Sequence, residues 1–224
     1  GAVSVSSIAR WDGGSWTSVG AGLNGTVENL SCQPDGGVVA SGFFSRSGAT
    51  EVHGIARWDG TAWGPVGAGF GGNNEHVQTV ATLPDSSILV GGEFLLGHTY
   101  PEAAILRWDG NAWDRFGGVN DYAGVLKVLP GGQLVGAGSF GVAGGYGTAQ
   151  IGRWNGSAWE VLPDGPRSHI YGARVECLAP LASGQLAVGG TFLSAGGRAA
   201  SDVAVWDGSG WSGLGAARGP DGIV

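Results

Sequence analysis

The side chains with the widest chemical range in this sequence, histidine and tyrosine, are few and sit in short stretches that differ from one another. Imidazole and phenol groups can bind ligands, exchange protons or hold metals. The stretches are residues 45–53, 71–76, 96–102, 119–123, 141–148 and 164–174, joined by a seventh variable stretch at 194–202. The four histidines and four tyrosines are His53, His76, His98, His169, Tyr100, Tyr122, Tyr146 and Tyr171.

Variable stretches between regular elements are where proteins concentrate their binding groups, although polar residues gather in loops in any case. Weighing both, we predict a binding surface in which the charged neighbours of these rings take part. The predicted binding residues are His53, Glu75, His76, His98, Tyr100, Tyr122, Arg167, His169, Tyr171 and Arg174.

Catalytic and cofactor motifs are not found in the sequence. Glu75, His76 and another loop histidine could approach one metal ion, but no ligand pair has a diagnostic spacing, so no metal and no cofactor are predicted. Neither a Gly-x-Ser-x-Gly elbow nor a phosphate-binding loop occurs. A carboxylate pair for glycoside cleavage stays open, because the distance between its members is a property of the folded site.

A repeated tryptophan motif indicates the secondary-structure elements that lie between the variable stretches. Ile8-Ala9-Arg10-Trp11-Asp12-Gly13 returns unchanged at 55–60 and in varied form at 105–110, 151–156 and 203–208, each time with a second tryptophan five residues after the first. The first tryptophans are 47, 50, 46 and 52 residues apart, and the motif uses all ten tryptophans of the chain. The five pairs are Trp11 and Trp16, Trp58 and Trp63, Trp108 and Trp113, Trp154 and Trp159, and Trp206 and Trp211.

A second block recurs four times between the copies of the first. It is an apolar run, a turn such as Pro34-Asp35-Gly36, and a second apolar run that ends at Phe44 in the first copy. Each repeat therefore has four short strands, a near Val27, b near Val38, c near Ile8 and d near Trp16. Turn residues separate a from b and c from d. Four antiparallel strands every ~45–50 residues are typical of a propeller blade.

In its motifs the chain resembles kelch repeats and the central domain of galactose oxidase. The run Ile88 to Gly92 followed by Trp108 and Trp113 is similar to a kelch blade, in which a hydrophobic run enters a Gly-Gly pair and aromatic residues follow. Trp-Asp-Gly stands where that family has a tyrosine-containing turn, and Ser41 takes the place of Gly91. The resemblance implies a β-propeller. It does not imply galactose oxidase activity, because neither cysteine lies in the variable stretches.

We therefore predict an all-β fold, a β-propeller of four-stranded antiparallel blades, with five blades of which the fifth is incomplete in this chain. One domain spans residues 1–224, and the alternative that this domain is a fragment of a larger protein stays open. Its repeats cover about 8–54, 55–104, 105–150 and 151–202, with a half repeat at 203–224. An incomplete blade leaves a free sheet edge, so self-association through that edge is expected.

Residues at one place in every repeat are interpreted as structural. The tryptophans are expected to pack between blades. The arginines of strand c receive the same interpretation, because Val205 replaces them in the last copy. The aspartates after the first tryptophan are turn residues, and Asn155 substitutes once.

Composition excludes some partners. The net charge is −7, Lys127 is the only lysine and no apolar run is long enough to cross a bilayer, so neither nucleic acid binding nor membrane insertion is predicted. Cys32 and Cys177 occupy different places in their repeats, which predicts two buried free thiols. An extracellular or cell-surface location is expected.

Two functions from different classes follow from this sequence. The first is a non-enzymatic binding or scaffold module that presents its variable loop face to a protein or glycan. The alternative is a hydrolase, lyase or oxidase with its site at the mouth of the central channel, where several carboxylates or rings would have to converge. A fragment with no activity of its own is a third possibility.

Overall fold

A computed structural model describes residues 5–70, 75–95, 102–117, 123–138, 150–168 and 173–213 of the chain. The chain divides into two compact units, Gly1–Phe116 and Gly117–Val224. The described residues form strands and turns without helices, so none of them belongs to a helix that could cross a membrane.

The first unit holds two complete four-stranded sheets and one separate hairpin. The hairpin is β1 (Ala9–Trp11) with β2 (Trp16–Ser18). Blade I is β3 (Thr26–Cys32), β4 (Val38–Phe43), β7 (Ile55–Trp58) and β8 (Trp63–Pro65), with a small ribbon of β5 (Arg46–Ser47) and β6 (Thr50–Glu51) between β4 and β7. Blade II is β9 (His76–Thr82), β10 (Ile88–Phe94), β11 (Glu102–Trp108) and β12 (Trp113–Arg115).

The second unit repeats the arrangement twice. Blade III is β13 (Ala123–Val128), β14 (Leu134–Gly138), β15 (Gln150–Trp154) and β16 (Trp159–Val161). Blade IV is β17 (Arg174–Pro180), β18 (Leu186–Thr191), β21 (Val203–Trp206) and β22 (Trp211–Gly213). Its ribbon is β19 (Ser194–Ala195) with β20 (Arg198–Ala199).

These four antiparallel sheets, each in the order a-b-c-d, are the blades of a β-propeller, which confirms the predicted fold class. Each blade joins the a and b strands of one sequence repeat to the c and d strands of the next. The hairpin of β1 and β2 is a c–d pair alone, and no fifth four-stranded blade occurs among the described residues. The single domain over residues 1–224 stays a prediction.

A tryptophan pair closes every c–d hairpin, and in blades I and IV its second indole also binds the hairpin before it. The two rings of each pair lie 5.2–5.7 Å apart. Trp63 is buried, and its Nε1 donates to the carbonyl of Val19, 3.0 Å away. In the second unit, Trp211 Nε1 donates to the Pro163 carbonyl at 2.8 Å. The tryptophans are therefore structural, as expected from their repetition.

Glycine is required where a chain passes beneath these rings. Gly20 has a φ of +57°, and a Cβ there would lie 2.6 Å from Cζ3 of Trp58. Gly67 has a φ of +61° and would meet the corresponding atom of Trp108 at 2.8 Å. Left-handed backbone and direct contact with an indole both exclude a side chain, so part of the high glycine content follows from the tryptophan packing.

The arginines of strand c anchor the a–b turn in blades I and II. Arg57 binds the carboxylate of Asp35, and Arg107 Nη2 lies 2.6 Å from Asp85 Oδ2. In blade III the turn has Gly131 at this place, and Arg153 Nε instead donates to Glu160 at 2.9 Å. Where the acidic turn residue is missing, the arginine therefore changes partner.

The aspartate after the first tryptophan of each motif closes the c–d turn with its side chain. Asp59 Oδ1 accepts the backbone N–H groups of Thr61 at 2.8 Å and Ala62 at 2.9 Å. These bonds, that from Ala62 foremost, lower the pKa of Asp59 to about 2. Backbone N–H donors likewise lower the pKa of Asp12, Asp109 and Asp207. Asn155 accepts the same pair of bonds without a charge.

Several local expectations were wrong. Cys32 and Cys177 are free but exposed rather than buried. Cys177 follows a bulged residue, which shifts the alternation of β17 and turns its thiol outward; Cys32 ends β3 on the exposed side. His76 and Arg174 begin strands β9 and β17 instead of lying in loops, and the ribbons in the 45–53 and 194–202 stretches were not predicted.

Replacing Asp59 with asparagine should change how stability depends on pH. A lowered folded-state pKa stabilises the fold above the ordinary value of 3.8, and this contribution is lost as pH falls through about 2. Asparagine keeps the turn bonds at every pH, so Asp59→Asn should lose less unfolding free energy than the wild type between these values. Urea denaturation at pH 7 and at pH 2.5 measures the difference. Asp114→Asn is the control, and an equal acid loss in Asp59→Asn and the wild type would contradict the assignment.

Replacing Trp63 with phenylalanine should destabilise the first unit by about 2 kcal/mol, because it removes a buried hydrogen bond and part of a packed ring. Trp16 holds the same place in the first hairpin but is 56% exposed. Trp16→Phe should therefore cost less than about 0.5 kcal/mol. Chemical denaturation compares the two variants, and equal effects would show that the indole tie is not what stabilises the hairpins.

Candidate functional site

A bulge interrupts strand a of every blade. In blade I, Val27 pairs with Gly42 and Asn29 pairs with Ser41, so Glu28 has no partner in the ladder. The bulged residues of the four blades are Glu28, Gln78, Gly124 and Glu176. A bulge changes the direction in which a side chain leaves the strand, and bulges are frequent beside functional sites. The bulged position is therefore a candidate for a functional residue.

The bulge brings strands a and b into close contact, and that contact selects glycine on strand b. A Cβ on Gly42 would lie 2.3 Å from the Thr26 carbonyl oxygen, and one on Gly92 would lie 1.9 Å from that of His76. This explains why a glycine precedes the variable residue at the end of each strand b. That variable residue is Phe43, Glu93, Ser139 or Thr191.

Three side chains meet across the seam between blades I and II in the first unit. The Phe43 ring stacks on the His76 ring, with centroids 4.0 Å apart and an interplanar angle of 21°. His76 Nε2 lies 2.7 Å from Glu28 Oε2. Since an ionised carboxylate only accepts, Nε2 carries a proton and donates it. We name Glu28, Phe43 and His76 the Phe43 platform.

The platform is exposed, although its central ring is apolar. The side chain of Phe43 is 56% exposed, whereas Phe44 beside it is buried. His76 and Glu28 are partly covered, at 23% and 28% side-chain exposure. Their hydrogen bond and the ring stack hold the imidazole in one orientation, so the platform is a pre-organised aromatic surface.

An open cavity of about 310 Å³ adjoins the platform. Phe44 and Phe70 form apolar walls, and Phe70 packs edge-on against Trp113 of the blade II core. Glu75 supplies a carboxylate whose Oε1 accepts the N–H of Leu95 at 3.0 Å. The cavity is lined by Asn24, Gly42, Phe43, Phe44, Ser45, Gly54, Phe70 and Glu75.

Asn24 fixes the rim of this cavity. Its side-chain oxygen accepts the N–H groups of Ser45 and Arg46, both at 2.9 Å, and its amide donates to Ser45 Oγ. Arg46 in turn pairs with Glu51 at 2.5 Å, inside the ribbon between strands b and c. The ribbon is thus attached by hydrogen bonds to the connection that leads into strand a.

The structure brings three of the predicted binding residues to this face of the first unit. His76 belongs to the platform, Glu75 lines the cavity and His53 Nε2 lies 3.5 Å from Glu51 Oε2 on the ribbon. His53 also has left-handed backbone, and its carbonyl accepts the N–H of Phe70.

The remaining predicted residues fall elsewhere. In the second unit, Arg167 Nη2 lies 3.7 Å from Asp164 and Arg174 Nε lies 3.9 Å from Glu176, both on exposed side chains. His98, Tyr100, Tyr122, His169 and Tyr171 lie outside the described residues.

Sequence reasoning missed Glu28 and Phe43. The signal for Phe43 was present, since it is the aromatic member of a set otherwise made of Glu93, Ser139 and Thr191 at the end of strand b. Glu28 had no comparable signal, because a bulge is invisible in the sequence. Within the described residues, no group of three or more histidine, cysteine or acidic side chains could hold a metal ion.

No protein-family model and no curated protein matches this chain. Several solved structures are similar in fold. The β-propeller domain of the Trilobed protease from Pyrococcus furiosus, described as having an open velcro topology, is 14% identical with a TM-score of 0.50, and the match covers 85% of this chain and 55% of that one. This likeness shows the fold alone.

Two further structures have lower TM-scores. A protein of unknown function from Dyadobacter fermentans has a TM-score of 0.48 at 14% identity, covering 86% of this chain and 71% of that one. An α-L-arabinanase from Penicillium chrysogenum, complexed with arabinobiose, has a TM-score of 0.47 at 17% identity, covering 88% and 64%. Neither likeness bears on the function of this chain.

Proposed function

We propose that the chain is a non-enzymatic binding module, in an extracellular or cell-surface setting, that binds a neutral glycan at the Phe43 platform. The observation that carries this proposal is the exposed Phe43 ring, held in a stack with His76 beside a cavity that bears a carboxylate. Other blades place Glu93 or Thr191 where Phe43 stands, so the blade fold does not require an aromatic residue there.

The chemistry of the platform fits a sugar. An aromatic face is electron-rich and attracts the weakly positive C–H groups on one side of a pyranose ring. Carboxylates such as those of Glu28 and Glu75 accept hydrogen bonds from hydroxyl groups. The net charge of −7 disfavours a polyanionic ligand. A few polar groups beside an apolar wall are the usual composition of a ligand site.

Removing the Phe43 ring should weaken glycan binding about tenfold, because an aromatic contact contributes on the order of 1–1.5 kcal/mol. The probe is an array of neutral plant and bacterial oligosaccharides, read with the fluorescently labelled full chain and followed by titration of the best-bound glycan. Phe43→Ala is compared with Thr191→Ala, the exposed residue at the same place in blade IV. Thr191→Ala should bind as the wild type does.

Three results would contradict the proposal. Equal binding by Phe43→Ala and the wild type would remove the platform from the site. Capture on a peptide array without any bound glycan would identify a protein ligand instead. Cleavage of the bound glycan, detected as new reducing ends, would favour the hydrolase alternative.

A further inference from the structure

The first hairpin of the chain is the outer half of a blade. In blade I, strand c (β7) pairs with β4 on one side and with β8 on the other. β1 occupies the place of strand c in its own hairpin and pairs with β2. Among the residues that the structure describes, no strand pairs with the other edge of β1. Its backbone groups on that side are a template for another strand.

A cavity of about 460 Å³ lies between this hairpin and blade I, and residues of β1 line it. Ile8 and Val19 of the hairpin face Val38 and Trp58 of blade I across it. The residues that line it are Ile8, Ala9, Arg10, Val19, Leu30, Gly36, Val38, Trp58 and Trp63. The cavity is largely apolar and belongs entirely to the first unit.

Leu30, which lines this cavity, is an apolar side chain exposed to solvent. Its counterparts in strand a of blades II and IV, Val80 and Leu178, are 2% and 6% exposed. Both are covered by the inner strands of the preceding blade in the same unit. Leu30 is 48% exposed, because the hairpin before blade I supplies only strands c and d. An apolar side chain that is buried in one blade after another is here exposed to solvent.

Arg10 adds a charge that specifies the missing partner. Arg57 and Arg107, at the same place in strand c, bind the aspartate in the a–b turn of their own blades. Arg10 lines the cavity, and its guanidinium has no acidic partner in the described part of the chain. In blade III, Arg153 binds Glu160, the residue opposite it on strand d. The residue opposite Arg10 is Thr17, which has no carboxylate.

From these observations we infer that the open edge of β1 is a docking site for a β-hairpin of the a–b blade type with an aspartate in its turn. Strand b of the hairpin pairs antiparallel with β1, as β4 pairs with β7. Its apolar side covers Leu30 and fills the cavity, and its turn carboxylate binds Arg10. This is recognition by strand addition, in which main-chain bonds provide affinity and side-chain pockets provide specificity.

The test uses the full chain and a synthetic peptide of residues 75–95, the a–b hairpin of blade II, which carries Asp85 in its turn and contains no tryptophan. Light scattering first measures whether the chain is a monomer, which is the result we expect. Fluorescence anisotropy of the labelled peptide then measures binding. We expect saturable binding at one peptide per chain, with quenching or shift of the emission of the exposed Trp11 and Trp16.

Variants locate the bound peptide. Leu30→Gln should weaken binding about tenfold through lost apolar burial. The control Leu193→Gln, at a leucine that is 47% exposed in blade IV, should leave it unchanged. An Asp85→Asn peptide should bind the wild-type chain about threefold more weakly, as for an exposed ion pair. The same peptide change should have no effect on the Arg10→Gln chain, which identifies Arg10 as the partner.

Absence of saturable binding, or equal binding by Leu30→Gln and the wild type, would overturn the inference. A dimeric chain that Leu30→Gln converts to a monomer would also overturn it, because a second copy would then occupy the edge. None of these results bears on glycan binding at the Phe43 platform, since the two surfaces share no residue.

Discussion

The packing of blades I and IV depends on a contact between a buried indole and the backbone of the preceding hairpin. Trp63 donates to the Val19 carbonyl and Trp211 donates to the Pro163 carbonyl. Each tryptophan begins a strand d, and each carbonyl lies just after the preceding strand d. A buried N–H without a partner is costly, so these two bonds favour one position of blade I against the first hairpin and of blade IV against the last hairpin of blade III. The glycines beneath the rings follow from that distance. Trp16, which contacts no preceding hairpin among the described residues, is exposed.

The two indole hydrogen bonds between hairpins are made by strand d and the chain that follows the preceding strand d. The residues of strands a and b do not take part in these bonds. Strand a bulges at the same place in each blade, and the bulge requires only a small residue opposite, such as Gly42. The end of strand b is then free to vary, and in blade I it became Phe43. Glu28, which the bulge turns toward His76, stabilises the ring on which Phe43 stacks. The same repeat thus has an aromatic residue, Phe43, in one copy and Glu93, Ser139 or Thr191 at that place in the other three.

The blades could be predicted from the sequence because their signals are local. Trp-Asp-Gly with a second tryptophan specifies a c–d hairpin, and a Pro-Asp-Gly turn between apolar runs specifies an a–b hairpin. The assignment of His76 to a loop was wrong because strand β9 begins at the last residue of the variable stretch. The exposure of Cys177 depends on a bulge that shifts the alternation by one residue, and no sequence pattern records it.

The site was only partly predictable for a related reason. His76 was named because of its residue type, but its partners Glu28 and Phe43 are 48 and 33 residues away along the chain and belong to the neighbouring blade. Their meeting requires the register of two strands and the packing of two sheets, neither of which a motif encodes. Arg57 shows the opposite case, since an arginine in four of the five copies of strand c suggested a structural role, and the pairing of Arg57 with Asp35 explains it.

Hydrogen exchange of the tryptophan indole N–H groups, followed by NMR with each signal assigned through a Trp→Phe variant, tests this account most directly. The account predicts slow exchange for Trp63 and Trp211, whose indole N–H groups donate hydrogen bonds to carbonyls of the preceding hairpin. It predicts exchange near the rate of free indole for the exposed Trp16. Equal exchange of Trp63 and Trp16 would contradict it, because the indole would then not tie one hairpin to the next.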